Sequence, residues 1–510
     1  MPGFSKREML SPVDAAWFHM DTPTNMAMIT GVMMFSERLD VWRLKEVVEH
    51  RLLQHERFRQ RIRRSPLGLR RPSWEIDPHF DPNAHIRHIA LPEPGDVSAL
   101  QSLVGDLMGT PLDATKPLWQ LHVVDNFNGG SALVCRLHHC IADGLALVQV
   151  LLATADLDPD APLLSAEDEV RRDGGSLGRL LKPITTTLSW TTRGAELLLR
   201  ESLEAFVDPS RLLNPARMAA DGMAALGKLV FTLPDHRTIL RGRCGVAKRA
   251  VWAAPLPVMA VKAIGNGLGC TINDVLLAAV SGALGRYLEG RGQPTDGLDI
   301  RTMVPVNLRR PGETNELGNR FGLVIVSLPV GVRDPLERMA VLKQRMDTIK
   351  NTPEAVVAFG LLNTMGLTPI QVEKVIMDFF AAKVSAVMTN VPGPREPLYL
   401  AGTQIQDMMF WVPSPGSLSL GISILSYAGN VMVGVATDAG LIPDPEVIVE
   451  GIHAELAEMR EHMDAAARVT EAEEVRATER CHALTKTGGR CKNRAAAGQT
   501  TCRIHSGEVL

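Results

Sequence analysis

The chain has 510 residues, too many for one ordinary hydrophobic core, so we expect at least two domains. Hydrophobic residues make up 45% and charged residues 22% of the sequence, a globular composition that excludes bulk disorder. The net charge of −3 excludes a global basic bias toward nucleic acid. No apolar run reaches the roughly 18 residues that a membrane span needs, and Met1–Met20 shows no secretory signal, so we expect the cytoplasm.

The first part of the chain alternates between β-rich segments and segments with helical spacing of apolar residues. Helices are predicted at Pro12–Phe18, Val41–Leu53, Val97–Met108 and Leu145–Ala155, and strands at Met28–Phe35, Phe58–Ile62, Leu118–Val124 and Ala132–Leu137. Such alternation favours an α/β layered domain.

A second alternating region follows a break in composition. Residues 157–178 are rich in Asp, Pro, Gly and Ser and predict a linker, and residues 179–230 predict mostly helix. Helices are then predicted at Ile272–Leu288, Pro335–Thr348, Gln371–Ala382 and from about Pro445, with strands at Ile300–Pro305, Leu323–Leu328, Ala386–Asn390, Gln404–Trp411, Leu418–Tyr427 and Asn430–Thr437. The predicted organisation is an N-terminal half (1–178), a helical connector (179–245), a C-terminal half (246–470) and a tail (478–508).

The most informative local motif is the run from His138 to Gly144, which follows a strand and precedes a helix. A histidine there is suited to general-base catalysis because its ordinary pKa lies near neutrality. Adjacent residues of an extended segment point to opposite sides, so only one of His138 and His139 is able to enter a given cleft. Asp143 either orients an imidazole or pairs with an arginine, and Gly144 permits close approach.

Other interpretations of this motif remain open at this point. The two histidines are also compatible with a buried structural pair at the end of a strand. A metal site at His139 and Asp143 needs one helical face, which the strand prediction disfavours. Cys140 is a third candidate, as a nucleophile, although it faces away from His139 in an extended chain.

Five further short segments are informative only when they are considered together and in their order along the chain. They are Pro117–Trp119, Asn273–Asp274, Pro305–Arg309, Gly318–Gly322 and Thr389–Pro394. With the His138–Gly144 motif they closely resemble the bacterial wax ester synthase/diacylglycerol acyltransferase family, over roughly residues 7–465. The resemblance implies two α/β halves with a chloramphenicol-acetyltransferase-like fold and an active-site tunnel between them.

The resemblance also implies roles for individual residues. His139 corresponds to the family's catalytic base, with His138 as its supporting neighbour. Asp143 is expected to be structural and to pair with an arginine, for which Arg309 is the candidate. Gly144 is expected to leave room for the incoming chain.

Asn273 matches a family asparagine near the reacting centre. It would donate to the oxyanion or orient His139 through its other ring nitrogen. A plain helix N-cap is an equally good interpretation of Asn273. Pro117–Trp119 and Thr389–Pro394 are better explained as packing and turn elements than as substrate contacts.

The activity implied by the resemblance is transfer of a long-chain acyl group from acyl-CoA to diacylglycerol, and secondarily to a long-chain alcohol. Acyl-CoA is then a co-substrate, and catalysis needs no cofactor. Two alternatives stay open: an acyltransferase for another lipid or polyketide hydroxyl, and a non-catalytic lipid-binding protein on the same fold.

A cluster of seven arginines lies within residues 57–71, at positions 57, 59, 61, 63, 64, 70 and 71. It is either a solvated face or a contact for anionic head groups or CoA phosphates. Because the implied acceptors are lipids, we expect peripheral association with the inner membrane face or lipid droplets. The segment Leu177–Phe206 is a second candidate surface.

The tail carries three of the seven cysteines of the chain: Cys481, Cys491 and Cys502. With His505 they form a Cys3His set, the donor combination of structural zinc sites. A short segment of this kind needs a metal to fold. The alternative is a disordered tail with incidental cysteines.

Overall fold

The structure of the chain is a computed structural model. It describes residues 7–65, 70–163, 224–309, 317–350, 352–478 and, in the tail, 481, 483–484, 488–493, 501–502 and 504–505. Most of the predicted linker and connector, and the segment Leu177–Phe206, therefore lie outside the described residues.

The helices of the described residues follow in chain order. They are α1 (Pro12–His19), α2 (Val41–His50), α3 (Val97–Met108), α4 (Gly144–Leu152), α5 (224–231), α6 (Val258–Gly267), α7 (Ile272–Glu289), α8 (Pro335–Lys350), α9 (Glu354–Met365), α10 (Ile370–Ala381) and α11 (Pro445–Thr478). Short 3₁₀ turns occupy Leu52–Gln54, Glu56–Arg59 and Pro82–Ala84.

The strands are numbered in the same way. They are β1 (Glu8–Met9), β2 (Met28–Phe35), β3 (Gln60–Arg63), β4 (Ser73–Ile76), β5 (Ile86–Ala90), β6 (Trp119–Phe127), β7 (Gly130–His138), β8 (Lys248–Trp252), β9 (Leu256–Pro257), β10 (Ile300–Asn307), β11 (Phe321–Leu328), β12 (Ala386–Pro392), β13 (Tyr399–Leu400), β14 (Thr403–Trp411), β15 (Leu420–Tyr427) and β16 (Asn430–Asp438).

The first sheet carries the His138–Gly144 motif. Its strand order is β13-β14-β2-β7-β6-β5. Strand β7 lies inside this sheet, and all nine of its residues are buried. Antiparallel pairing with β2 places His138 opposite Met28, so the motif begins where the last ladder residue ends. Because β7 is buried along its whole length, the motif that follows it begins in the interior of the protein.

The second sheet is built by the C-terminal part of the chain. Its main path is β11-β10-β12-β15-β16-β8, and β9 also pairs with β16. Strand β12 is parallel to both of its neighbours, and α8, α9 and α10 lie between β11 and β12 in sequence. Helix α7 is buried over almost its whole length and packs against α8 and α11.

The two sheets are joined by an exchange of strands. Strand β14 comes from the C-terminal part of the chain but pairs with β2 of the first sheet. It also packs against β15 and β16 of the second sheet. The mixed α/β fold with two sheet halves agrees with the predicted fold class, whereas the residue boundaries of the predicted domains stay a prediction.

Several predicted elements coincide with the observed ones, and a few predictions were wrong. Met28–Phe35 and Val97–Met108 have the predicted bounds. The predicted strand Phe58–Ile62 is instead a 3₁₀ turn followed by β3, because Phe58 is buried and its carbonyl accepts the indole N–H of Trp119 at 2.8 Å. Helices α6 and α9 were not predicted.

The described helices were also compared with the length and hydropathy of a membrane span. No single one of them is long and apolar enough to cross a membrane. Helices α6 and α7 pass that test only as a pair, and a bend of 94° separates them.

Candidate active site

His138 and His139 leave the end of β7 in different environments. The backbone N–H of His139 donates to the carbonyl of Ala27 at 2.7 Å, which anchors the loop to the segment before β2. Nδ1 of His138 accepts from the backbone N–H of Cys140 at 3.1 Å, so its proton is on Nε2. That Nε2 donates to Oδ2 of Asp21 at 3.1 Å. Both ring nitrogens of His138 are therefore used within the protein.

The imidazole of His139 is buried among aromatic rings. It stacks on Trp17 of α1 with ring centroids 4.0 Å apart, and Phe321 lies 5.5 Å away. Burial lowers the pKa of His139 to about 4, although the nearby Asp143 carboxylate raises it. Its buried Nδ1 has no hydrogen-bond partner within the described residues. His139 is therefore a neutral imidazole at physiological pH.

A cavity between the two halves meets this imidazole. It encloses about 700 Å³, part of it open to solvent. Trp17 and His139 line it from the first half of the chain, and Phe321, Thr389 and Asn390 from the second. A mostly apolar wall with a few polar groups is typical of a site for a lipid-like substrate.

A second, almost entirely apolar cavity of about 680 Å³ adjoins the first. The two share four lining residues: Trp17, Met303, Leu323 and Pro415. The second cavity continues between α9 and α10, where Leu362 and Phe380 belong to its wall. Together the cavities offer an apolar passage from the surface helices to His139.

Asp143 is held by contacts other than the imidazole. Its Oδ1 caps α4 by accepting the N–H of Ala146 at 2.9 Å. Its Oδ2 pairs with Arg309 and accepts the N–H of Arg320 at 3.0 Å. The side chains of Asp143 and Arg309 are only 5% and 2% exposed. The predicted pairing of Asp143 with Arg309 is thus observed, and a metal site at His139 and Asp143 is not supported.

Asn273 does not line the cavity of His139, because the side chain of Asn390 lies between them. It accepts a hydrogen bond at 2.9 Å from Asn390, which lines the cavity of His139. Asn273 itself lines a smaller neighbouring cavity together with Asn307 and Asn390. The idea that Asn273 orients His139 needs correction, because no hydrogen bond joins the two within the described residues.

The N-cap interpretation of Asn273 was also wrong. The N-cap of α7 is Thr271, which forms a capping box with Asp274. The side chain of Asn273 does not cap the helix, and its Oδ1 accepts the hydrogen bond from Asn390. Asn390, in the Thr389–Pro394 segment that was predicted to be a packing and turn element, therefore lines the cavity in place of Asn273.

Asn319 is a contact that the sequence analysis did not identify as functional. Its Nδ2 donates to the carbonyl of His139 at 2.8 Å and to Oδ1 of Asp14 at 2.7 Å. Burial raises the pKa of the Asp14 carboxyl. The only signal in the sequence was the Gly318–Gly322 turn, which did not indicate a partner.

Cys140 and Gly144 complete the loop. Burial raises the pKa of the Cys140 thiol well above its usual range, so the reactive thiolate is disfavoured. A Cβ on Gly144 would lie 3.2 Å from a methyl group of Val412, which is tighter than ordinary contact. A larger residue at position 144 would therefore press on the cavity wall.

Most of the arginine cluster binds its own chain. Arg61 and Arg63 pair with Glu75 at 2.9 and 3.4 Å, across the β3–β4 ladder. Arg57 lies over the ring of Trp74 at 4.3 Å and also pairs with Glu8. These contacts favour a structural interpretation for part of the cluster, while Arg59 and Arg70 are exposed.

The tail brings its four predicted ligands together. Nδ1 of His505 lies 3.2 Å from Sγ of Cys502 and 3.5 Å from Sγ of Cys481. Sγ of Cys491 lies 3.9 Å from Sγ of Cys502. All four ligand atoms lie within 4.8 Å of one another, and the three cysteines are buried.

The fold and the buried histidine define the class of protein. Two α/β halves enclose a cavity, and His139 lies beside it at the end of an inner strand, which is the arrangement that the resemblance implied. The family model of the wax ester synthase/diacylglycerol acyltransferase catalytic domain matches residues 10–276. The model of the WS/DGAT C-terminal domain matches residues 317–460. The chain belongs to this family and is an acyltransferase, as the resemblance implied.

Individual relatives agree with this assignment. A probable diacylglycerol O-acyltransferase of Mycobacterium tuberculosis is 28% identical over 422 residues, covering 80% of this chain and 86% of its own length. A second, putative diacylglycerol O-acyltransferase of that organism is 27% identical over 503 residues, covering 91% and 92%.

Solved structures show the same fold. The wax ester synthase/diacylglycerol acyltransferase from Marinobacter aquaeolei VT8 aligns with a TM-score of 0.63 at 21% identity. The alignment covers 90% of this chain and 100% of that one. The first condensation domain of the calcium-dependent antibiotic synthetase aligns with a TM-score of 0.58 at 16% identity, covering 90% and 97%.

Proposed function

We propose that the protein transfers a long-chain acyl group from acyl-CoA to the hydroxyl of diacylglycerol, and less readily to a long-chain alcohol. The observation that carries the proposal is the neutral imidazole of His139 at a mostly apolar cavity between the halves. The relatives named diacylglycerol O-acyltransferases support triacylglycerol as the main product. The two alignments cover 80% and 91% of this chain.

The proposed reaction needs a base because an alcohol is a poor nucleophile at neutral pH. His139 removes the hydroxyl proton while the oxygen attacks the thioester carbon of acyl-CoA. The new C–O bond forms, the C–S bond breaks, and the proton on His139 passes to the departing CoA thiolate. No covalent acyl-enzyme and no metal take part in these steps.

The developing oxyanion needs a preorganised donor. Asn390 is placed to supply its amide from the cavity wall, and Asn273 orients Asn390 through their hydrogen bond. Asn319 positions the loop by holding the carbonyl of His139. In this scheme His138 and Asp143 fix the loop and do not touch the substrate.

The acceptor is tested by supplying labelled acyl-CoA with diacylglycerol, with hexadecanol and with no acceptor. We expect labelled triacylglycerol as the main product, a smaller yield of wax ester, and little label released as free acid. Label incorporated into neither ester would contradict the proposal and favour a lipid-binding protein or another hydroxyl acceptor.

We further propose that the tail binds one structural zinc ion through Cys481, Cys491, Cys502 and His505. A tetrahedral zinc has bonds of about 2.3 Å to sulfur and about 2.0 Å to nitrogen, which places ligand atoms roughly 3.5–3.8 Å apart. The Sγ–Nδ1 distances of 3.2 and 3.5 Å and the Sγ–Sγ distance of 3.9 Å lie close to these values, and all four ligand atoms lie within 4.8 Å of one another. The ion would hold together a segment too short to form a hydrophobic core.

Metal analysis of the purified full chain tests the zinc site. We expect about one zinc per chain, as one Cys3His set binds one ion. The Cys491→Ser/Cys502→Ser variant should lose it, because two of the four ligands are gone. Cys244→Ser is the control, since this thiol lies in the body of the protein and its variant should keep the metal. A wild-type chain without zinc would contradict the site.

The proposed acceptor is a lipid, so we also propose that the protein works peripherally at the cytoplasmic membrane face or at lipid droplets. Diacylglycerol is dissolved in such surfaces and reaches a cavity from there rather than through water. The pairing of Arg57, Arg61 and Arg63 within the chain reduces the charge that the arginine cluster offers to head groups. Another surface is therefore needed as the principal contact.

A further inference from the structure

Helix α10 presents two different faces. Val372, Val375 and Phe379 are spaced three and four residues apart, so they form one stripe along the helix, and all three are exposed. On the other side, Glu373 is buried and binds Nδ1 of His19 at 2.8 Å. Phe380, also on that side, lines the second cavity. The helix is therefore packed on one face and leaves an apolar stripe in solvent.

The exposed stripe continues onto the end of α5 and the segment that follows it. Nζ of Lys383 donates to the carbonyl of Val230 at 3.0 Å and lies 4.0 Å over the ring of Phe379. The N–H of Asp235 donates to the carbonyl of Ala382 at 2.9 Å. These contacts hold the end of α10 beside the end of α5 and the residues that follow it.

The two segments together form what we call the apolar patch. It consists of Val372, Val375, Phe379, Val230, Phe231 and Leu233. Phe231 is 82%, Leu233 is 76% and Val375 is 69% exposed. Isolated apolar side chains on a surface are common, but a contiguous group of this kind marks a binding surface.

The apolar patch lies over the passage to His139. The second cavity is lined by Met377 and Phe380 from the inner face of α10 and by Leu229 of α5. Leu229 is adjacent in sequence to Val230 of the patch. The same two segments therefore form the apolar patch outside and the cavity wall inside, and that cavity shares Trp17 with the cavity of His139.

We propose that the apolar patch docks the protein on a lipid surface that contains diacylglycerol. This inference rests on the proposed function, because the occupant is the surface in which the proposed acceptor is dissolved. Exposed polar residues border the patch: Lys374 and Asp378 on α10, and His236 and Arg237 beyond Leu233. An apolar centre with a partly basic border suits insertion among acyl chains with the charges at the head groups.

Docking in this orientation gives the acceptor a short path. Diacylglycerol leaves the lipid surface beside α10 and enters between α9 and α10, where the second cavity begins. Its chains remain in apolar surroundings throughout, which avoids the cost of exposing them to water. The hydroxyl then travels along the shared wall to His139.

Vesicle flotation tests the inference. The vesicles contain phosphatidylcholine, phosphatidylglycerol and diacylglycerol. Wild-type protein is expected to float with them, and Val375→Glu/Phe379→Glu is expected to lower the bound fraction at least about tenfold, because two charges would enter the apolar layer. The matched control is Trp42→Glu/Met259→Glu, which alters side chains 73% and 68% exposed on α2 and α6, and it should float like the wild type.

A second pair of measurements separates docking from folding and from chemistry. Phe231→Ser/Leu233→Ser changes the patch at the end of α5 and just beyond it, away from α10, and should also reduce flotation. Both patch variants should acylate detergent-dispersed diacylglycerol at the wild-type rate, while losing rate on vesicle-borne diacylglycerol.

Three outcomes would overturn the inference. They are undiminished flotation of both patch variants, failure of the wild type to float, and a patch that instead joins two copies of the chain by size-exclusion chromatography. In each case ester formation from detergent-dispersed diacylglycerol or hexadecanol still reports on the proposed function, which fails only if neither ester is formed.

Discussion

At the scale of single residues, the account depends on the protonation state of His139. A neutral imidazole is the form that accepts a proton, and burial keeps His139 in that form well below neutral pH. Stacking on Trp17 fixes the plane of the ring without using either nitrogen. The ring is therefore positioned by packing, and its proton-accepting capacity is left for the substrate.

The same burial makes the stability of the protein depend on pH. The pKa of His139 is about 4 in the folded chain and about 6.5 when the chain is unfolded. Between these values the unfolded chain binds a proton at position 139 that the folded chain does not, so stability falls as pH falls. We expect His139→Gln to reduce this slope by up to about 1.4 kcal/mol per pH unit.

Urea unfolding between pH 4.5 and 7 measures that slope. His236→Gln, a change at an exposed histidine, serves as the control and should leave the slope unchanged. An unaltered slope in His139→Gln would show that the imidazole is not held neutral by burial.

Some residues of the site could be predicted from the sequence and others could not. His138 through Gly144 could be identified because the motif is continuous and its strand-loop-helix context is readable from periodicity. Asn319 contacts His139 across 180 positions and Arg309 pairs with Asp143 across 166, so these contacts arise only from tertiary folding. The family resemblance suggested Arg309, but nothing in the sequence suggested Asn319.

At the scale of elements, the loop between β7 and α4 is fixed at both ends. The β2–β7 ladder sets where the strand stops, and Asp143 begins α4 by capping the N–H of Ala146. The same carboxylate joins the loop to Arg309 at the end of β10, in the other half of the chain. This buried ion pair, together with the hydrogen bonds from Arg320 and Asn319, therefore joins the loop to the second half of the chain.

Loss of that ion pair should be costly for folding. Asp143→Asn preserves a helix cap but leaves the buried guanidinium of Arg309 without its counter-ion, which costs about 3–5 kcal/mol. Asp40→Asn, at the exposed N-cap of α2, is the matched control and should cost under about 1 kcal/mol. Chemical denaturation measures both free energies, and equal losses would refute the role assigned to the pair.

Regular elements were predictable wherever one face is buried and the other is polar. Helix α9 lacks such a contrast because it is apolar over most of its surface, whereas α6 is short and ends in a Gly-Asn-Gly run that weakens its helical pattern. The alternating positions of Arg59 and Arg61 predicted a strand from Phe58. The strand begins only at Gln60, because burial of Phe58 against Trp119 favours a turn at Glu56–Arg59. Packing against distant residues overrides the local pattern in these cases.

At the scale of the whole molecule, the passage to His139 exists because the halves share strands. Strand β14 pairs with β2 and packs on β15, so Phe410 and Val412 reach the cavity from a segment late in the sequence. The local sequence does not predict such an exchange, because the residue pattern of a strand does not depend on which sheet the strand joins. The mostly apolar cavities beside His139 follow from this exchange of strands.

The most direct test of the account is the turnover of His139→Ala with acyl-CoA and diacylglycerol. His79→Ala, a change at an exposed histidine, is the control for the loss of an imidazole elsewhere. We predict that His139→Ala lowers kcat by about 10²–10⁴-fold, with near-normal folding and with His79→Ala fully active. Triacylglycerol formation by His139→Ala at a rate close to that of the wild type would contradict the assignment of His139 as the base.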